Sequence, residues 1–197
     1  LSICRAFRHF GIEPALAADP DSVAQAERLV LPGVGAFGAC MAGLRSAKLD
    51  QSVVAFIATG RPFLGICVGM QMLFDESHEF GVHAGLGVMP GKVLPIPSVA
   101  EDGMPLKRPV IGWHGLEHTS QNWSNTLLES QPTDTEVYFV HSFSAHPERD
   151  EDVLAVYDKH GTKITAVVRH GEIYGFQFHP EKSGAAGLKI IRAFLDL

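Results

Sequence analysis

The chain has 197 residues, 46% hydrophobic and 19% charged, the balance of a folded protein large enough for a sizeable core. Its net charge of −6 leaves no basic footprint, which argues against nucleic acid as a partner. No apolar run reaches the ~18 residues that would span a bilayer. Cys4, Cys40 and Cys67 are an odd number at wide spacing, so they form neither a disulfide framework nor a CxxC metal pair, and a reducing, cytoplasmic setting is expected.

Ile3, Phe7 and Phe10 recur at helical spacing and Gly11 closes that segment. The helix is expected to start near Leu1, with no signal-peptide pattern ahead of it. Residues 15–18 read as a short strand, and Asp19-Pro20-Asp21 as a turn that opens a helix. Leu29-Val30-Leu31, stopped by Pro32-Gly33, has the continuous apolar character of a buried parallel strand. Helices follow over residues 37–47 and 52–58, until Gly60-Arg61-Pro62 breaks the pattern. Residues 63–66 form a second buried strand, and residues 68–75 resume helical spacing.

The alternation of strands and helices predicts an α/β fold on a parallel sheet. Beyond it, strands are expected over residues 88–97, 109–117, 137–143, 153–157, 165–169 and 173–178, several of them as antiparallel excursions. Residues 184–197 close the chain as an amphipathic helix with Leu188, Ile190, Ile191 and Leu195 on its buried side. No repeat or linker divides residues 1–197, so one domain is expected.

Three motifs carry chemistry. In Gly65-Ile66-Cys67-Val68-Gly69-Met70-Gln71, a cysteine sits where a buried strand turns into a helix. Such an elbow presents its side chain at the carboxyl edge of the sheet, where open α/β sheets bind ligands. Free N–H groups at a helix start favour a thiolate, and the Val68 N–H can face a developing oxyanion. The plainer alternative is a small buried core cysteine.

In Gly175-Phe176-Gln177-Phe178-His179-Pro180-Glu181, a strand delivers His179 at its end. Glu181, two residues on, can hold the imidazole while the other ring nitrogen serves a nucleophile, with neutral imidazole as the base. A chance surface His–Glu pair is the alternative. The third motif, Leu31-Pro32-Gly33-Val34-Gly35-Ala36-Phe37, lacks the full GxGxxG and the Walker lysine of a phosphate loop. A second oxyanion N–H beside the elbow suits it better.

Together these motifs resemble the class I (triad) glutamine amidotransferases, and within that family the glutaminase subunits of imidazole glycerol phosphate synthases. Gly112-Trp113, Tyr138-Phe139-Val140-His141-Ser142-Phe143 and residues 175–183 extend the likeness through nearly the whole chain. The resemblance implies a flavodoxin-like three-layer sandwich with a central, mostly parallel sheet and an additional antiparallel portion. It implies a catalytic triad of Cys67, His179 and Glu181, with oxyanion donors at Val68, Val34 and Gly35. Glutamine would be gripped by Gly35, Gln71, Glu79 and the backbone at Ser142 and Phe143, although solvated helix positions are the alternative for Gln71 and Glu79. No metal and no organic cofactor is required. The ammonia would pass to a (β/α)8-barrel cyclase in a heterodimer, with Trp113, Tyr138 and Lys182 where interface residues would sit; core packing is the alternative for the two aromatics.

The chain departs from the family at His114, where Asn is usual. The family also begins with an apolar strand and an Asp-Tyr-Gly-x-Gly-Asn loop ahead of the residue 1 position. The 197 residues are therefore expected to be part of a longer chain whose sheet has one more strand. Readings that compete with this one are another amidotransferase, a γ-glutamyl hydrolase, a non-catalytic glutamine-binding module, and a metal site at Cys67, His179 and Glu181.

Overall fold

The computed structural model describes residues 2–197; Leu1, where the first helix was expected to begin, lies outside them. Helix α1 (Ser2–His9) buries Ile3, Cys4, Ala6 and Phe7, and Gly11, at φ 75°, turns the chain away after it. Helix α2 (Pro20–Gln25) starts as its sequence dictates. Asp19 caps it by accepting from the Ser22 N–H at 2.8 Å, and Pro20 occupies the first turn.

Strand β1 (Leu29–Gly33), helices α3 (Phe37–Ser46) and α4 (Asp50–Ala58), and strand β2 (Phe63–Cys67) come next. All five residues of β2 are buried, and it pairs in parallel with β1 on one side and with β12 (Ile173–Phe176) on the other. Alternate β2 side chains go to opposite faces. Leu64 and Ile66 join a core with α1 and α6 (Gly184–Leu195), whereas Phe63 joins a second core with Val23 of α2 and Val53, Phe56 and Ile57 of α4. That division makes three layers, with the parallel strands as the middle one. Full burial of a side chain such as Leu64 or Phe63 contributes roughly 1.5–3 kcal/mol.

From β12 the same sheet continues antiparallel through β11 (Thr162–His170), β10 (Val153–Lys159) and the short β7 (Glu117–His118). A four-stranded sheet orders β4 (His83–Ala84), β3 (Phe74–Ser77), β5 (Met89–Pro95) and β9 (Phe143–Pro147). A two-stranded ribbon joins β6 (Val110–Gly115) to β8 (Glu136–His141).

Three expectations are corrected. Residues 15–18 form no strand; they have no ladder partner among the described residues, and Leu16 is 72% exposed. Strand β1 is parallel as expected but only partly buried, because among the described residues it pairs on one side only. Helical structure after Cys67 lasts one turn, α5 (Val68–Gln71), and β3 begins at Phe74, where its pairing with β5 overrides local propensity. In α6, Gly187 and Phe194 are buried with Ile190 and Ile191, while Leu188 and Leu195 are only partly covered.

Candidate active site

Cys67 ends β2 with φ 56° and ψ −115°, a left-handed conformation that a residue with a Cβ adopts at a cost of about 1–3 kcal/mol. What enforces it is the closeness of α5 to the sheet. A Cβ on Gly69 would lie 1.7 Å from the Leu31 carbonyl oxygen; one on Gly65 would lie 2.7 Å from the Gly69 oxygen; one on Gly33 would lie 2.8 Å from the Gly69 nitrogen. Gly175, level with Gly65 on β12, leaves the same kind of room for the Met70 side chain. The glycines on either side of Cys67 thus let a single helical turn rest on three parallel strands.

His179 lies just past the end of β12. Its N–H donates to the Tyr138 carbonyl at 2.9 Å, and Pro180 then starts a short 3-10 turn that carries Glu181. Glu181 Oε1 is 3.0 Å from His179 Nδ1, with both side chains almost wholly buried. Burial alone would lower the His179 pKa. The hydrogen bonds and charges of Cys67 and Glu181 outweigh it and push the ring up to about 9, so the imidazole carries a proton at neutral pH. The other oxygen, Glu181 Oε2, is buried without a hydrogen-bond partner among the described residues.

The loop between β1 and α3 forms the third side. Val34 is exposed and its carbonyl accepts from Cys40 Sγ at 3.5 Å; Gly35 sits at φ 102°. Glu79 Oε2 accepts the Phe37 N–H at 2.6 Å, capping α3 from outside the helix. Glu79 is therefore no freely solvated helix residue, and neither is Gln71, which is buried.

The opposite wall comes from β8 and the turn into β9. His141 Nδ1 is 2.8 Å from the Phe143 carbonyl and its Nε2 is 2.9 Å from the Tyr157 hydroxyl. A carbonyl only accepts, so Nδ1 bears the hydrogen and Tyr157 O–H donates to Nε2. Burial lowers His141 to about 4, which keeps it neutral in ordinary buffers. Gln71 Nε2 also donates to the Phe143 carbonyl, at 3.1 Å.

Together these pieces enclose a cavity of about 310 Å³ lined by Val34, Gly35, Cys67, Val68, Gln71, Glu79, Ser142, Phe143 and His179, and also by Pro109, Val140 and His141. Every predicted triad, oxyanion and substrate residue except Glu181 lines it, and Glu181 stands directly behind His179. Trp113, Tyr138 and Lys182 gather elsewhere, at the outer face of the β6–β8 ribbon. The Trp113 and Tyr138 rings meet edge to face at 6.0 Å and Lys182 Nζ lies 5.8 Å from the Tyr138 ring centre. Trp113 remains 48% exposed, so core packing is not its role. His114 turns the other way and stacks on Tyr157 at 4.9 Å, with burial lowering its pKa.

Sequence reasoning assigned nothing to His141 and Gln177. Each is a polar residue in a largely apolar stretch, and a buried polar group of that kind is the available signal. No group of three or more His, Cys, Asp or Glu among the described residues is arranged to hold a metal ion. No described helix is long and apolar enough to cross a membrane.

Comparison with known proteins fits this geometry. The family model described as "Glutamine amidotransferase class-I" matches residues 2–197. Imidazole glycerol phosphate synthase subunit HisH 1 of Legionella pneumophila is 46% identical over 201 residues, covering 100% of this chain and 93% of its own length. Subunit HisH of Geobacter metallireducens is 44% identical, covering 98% and 90%. Among solved structures, PurLQS from Thermotoga maritima superposes with a TM-score of 0.72 at 21% identity, covering 99% of this chain and 91% of that one, which speaks to the fold alone. The chain belongs to the class I glutamine amidotransferase family.

Proposed function

We propose that this chain is a cytoplasmic glutaminase subunit of an imidazole glycerol phosphate synthase, acting as a single glutamine amidotransferase domain. The observation that carries the reading is the meeting of Cys67 and His179 in one cavity, with Glu181 3.0 Å behind the imidazole. The Legionella and Geobacter relatives, subunits of imidazole glycerol phosphate synthase, point to the synthase.

In this reading the Cys67 thiolate attacks the side-chain amide carbon of glutamine. The N–H groups of Val68 and of the Val34-Gly35 turn receive the oxyanion, and preorganised donors of this kind usually supply the largest share of acyl-transfer catalysis. His179 starts protonated rather than as the neutral base expected from sequence, so it can give its proton to departing ammonia at once. A γ-glutamyl thioester remains. The now neutral imidazole takes a proton from water, the hydroxide adds to the thioester, and collapse restores the thiolate with release of glutamate. Glu181 keeps the ring oriented throughout.

Gly35, Glu79 and the backbone at Ser142 and Phe143 surround the bound substrate, with the Glu79 carboxylate suited to its ammonium. Both Gln71 N–H groups are engaged within the protein, so Gln71 meets the substrate through Oε1. No metal or organic cofactor enters any step. Ammonia passes to a (β/α)8-barrel cyclase docked on the Trp113–Tyr138–Lys182 face, since an exposed, clustered Trp and Tyr suit an interface anchor.

The test is glutamate release by the wild type and by Cys67→Ala, with and without a cognate cyclase. Cys67→Ala is expected to lose activity by a factor of about 10⁴ or more. The cyclase is expected to raise the wild-type rate. Equal activity in the two proteins sinks the nucleophile, and a wild-type rate indifferent to the cyclase sinks the partnership.

A further inference from the structure

Two buried side-chain amides run from the far wall of the cavity to the sulfur. Gln71 Nε2 donates to the Phe143 carbonyl at 3.1 Å and to Gln177 Oε1 at 2.9 Å, and Gln177 Nε2 is 3.8 Å from Cys67 Sγ. Gln177 is fully buried, so its amide has no solvent as an alternative partner, and Gln71 is nearly so.

The direction of this chain is fixed at its far end. The Phe143 carbonyl offers only lone pairs, which already take His141 Nδ1–H, so the Gln71 group facing it must be the NH2. That NH2 has a second hydrogen, which fixes the Gln177 oxygen toward Gln71 and the Gln177 NH2 toward the sulfur. Turning Gln177 over would set two donors face to face and aim a carbonyl oxygen at Sγ, leaving buried polar groups unpaired. His141 is itself held in its tautomer by the Tyr157 hydroxyl, so the order extends from Tyr157 to Cys67.

We infer that Gln177 steadies Cys67 as a thiolate by donating an N–H to its sulfur, and that Gln71 and the Phe143 carbonyl act as positioning groups that fix the sense of that donation. This rests on Cys67 being the nucleophile proposed above. It adds a donor to the sulfur besides His179.

The experiment uses the full chain and compares wild type, Gln177→Met and Gln177→Glu. Iodoacetamide alkylation of Cys67 is followed against pH by mass spectrometry of the Cys67 peptide, with the Cys4 and Cys40 peptides as internal references and a thermal melt as the folding control. Loss of a hydrogen bond to a charged group predicts alkylation about tenfold to a hundredfold slower at pH 7 for Gln177→Met, with the profile moved to higher pH. Gln177→Glu keeps the shape but puts a carboxyl beside the sulfur that repels the thiolate once it ionises, so its rate is expected to fall below that of Gln177→Met as pH rises. Glutaminase kcat should drop with the alkylation rate while KM changes little.

If neither Gln177 variant folds, Gln71→Met frees the Gln177 amide to turn and must move the alkylation profile the same way. Profiles that coincide with wild type in the folded variants overturn the inference. Because alkylation needs no glutamine, that failure is distinct from an active Cys67→Ala, which would sink the nucleophile itself.

Discussion

The wall that carries Cys67 is made of three parallel strands whose glycines let α5 approach the sheet to within backbone contact. The facing wall is made of β8 and β9, from two different antiparallel pairings, and is held by hydrogen bonds among His141, Tyr157 and the Phe143 carbonyl. The first wall is positioned by the absence of side chains and responds to added volume. The second is positioned by buried polar groups and responds to protons. The cavity between them combines a sterically fixed nucleophile with a surface whose order depends on charge state.

The sharpest way to break this contrast is Gly69→Ala. Its Cβ would need the space of the Leu31 carbonyl, so α5 must lift or β1 must move. A stability loss above about 3 kcal/mol is expected, with glutaminase activity lost too. A denaturant midpoint equal to wild type would mean that the elbow is not packed by backbone contact at all.

The facing wall should fail with acid instead. His141 stays neutral in the fold down to about 4, whereas an unfolded histidine titrates near 6.5. Between those values the unfolded chain binds the extra proton. The stabilisation from keeping His141 neutral is therefore present above about 6.5 and is lost as pH falls toward 4. Up to about 3 kcal/mol is at stake. Urea midpoints at pH 7 and pH 4.5 should show that loss in wild type and a flatter response in His141→Asn.

His179 has the opposite sign. Its value is raised to about 9, so the protonated ring persists through neutral pH and is lost only as pH rises through about 9. Glutaminase kcat is expected to decline over that alkaline range, by up to about tenfold per pH unit beyond it. A rate that already halves near pH 6.5 would show that Cys67 and Glu181 do not hold the proton on the ring. The smallest effect belongs outside both walls. Trp113→Ala, on the exposed ribbon, should change the stability of the isolated chain by less than about 0.5 kcal/mol while weakening cyclase binding in a pull-down titration.

The same contrast explains what could be read from the sequence. Cys67, His179 and Glu181 lie in short motifs where each residue's neighbours set its geometry: a glycine on either side of the elbow region, a proline that starts the turn carrying Glu181. The sheet that holds them follows from runs such as residues 63–66. Residues 15–18 have the composition of a strand but no ladder partner among the described residues, and no local pattern reveals that. Residues 72–75 read as helix because the pairing of β3 with β5 is decided elsewhere in the chain. Gln177 pairs with Gln71 across 106 positions, and His141 meets Tyr157 only after β10 has folded back. Each shows in the sequence as an isolated polar residue with nothing to name its partner. Glu79 is similar, since its bond to the Phe37 N–H depends on how a loop crosses a helix start.

The backbone at Cys67 has one more consequence. At φ 56° every side chain is strained there except that of glycine. Cys67→Gly should therefore raise thermal stability, by about 1 kcal/mol, while abolishing the chemistry. A search for sturdier variants that ignored activity would select against the nucleophile first. Position 67 is where durability and usefulness pull this protein in opposite directions.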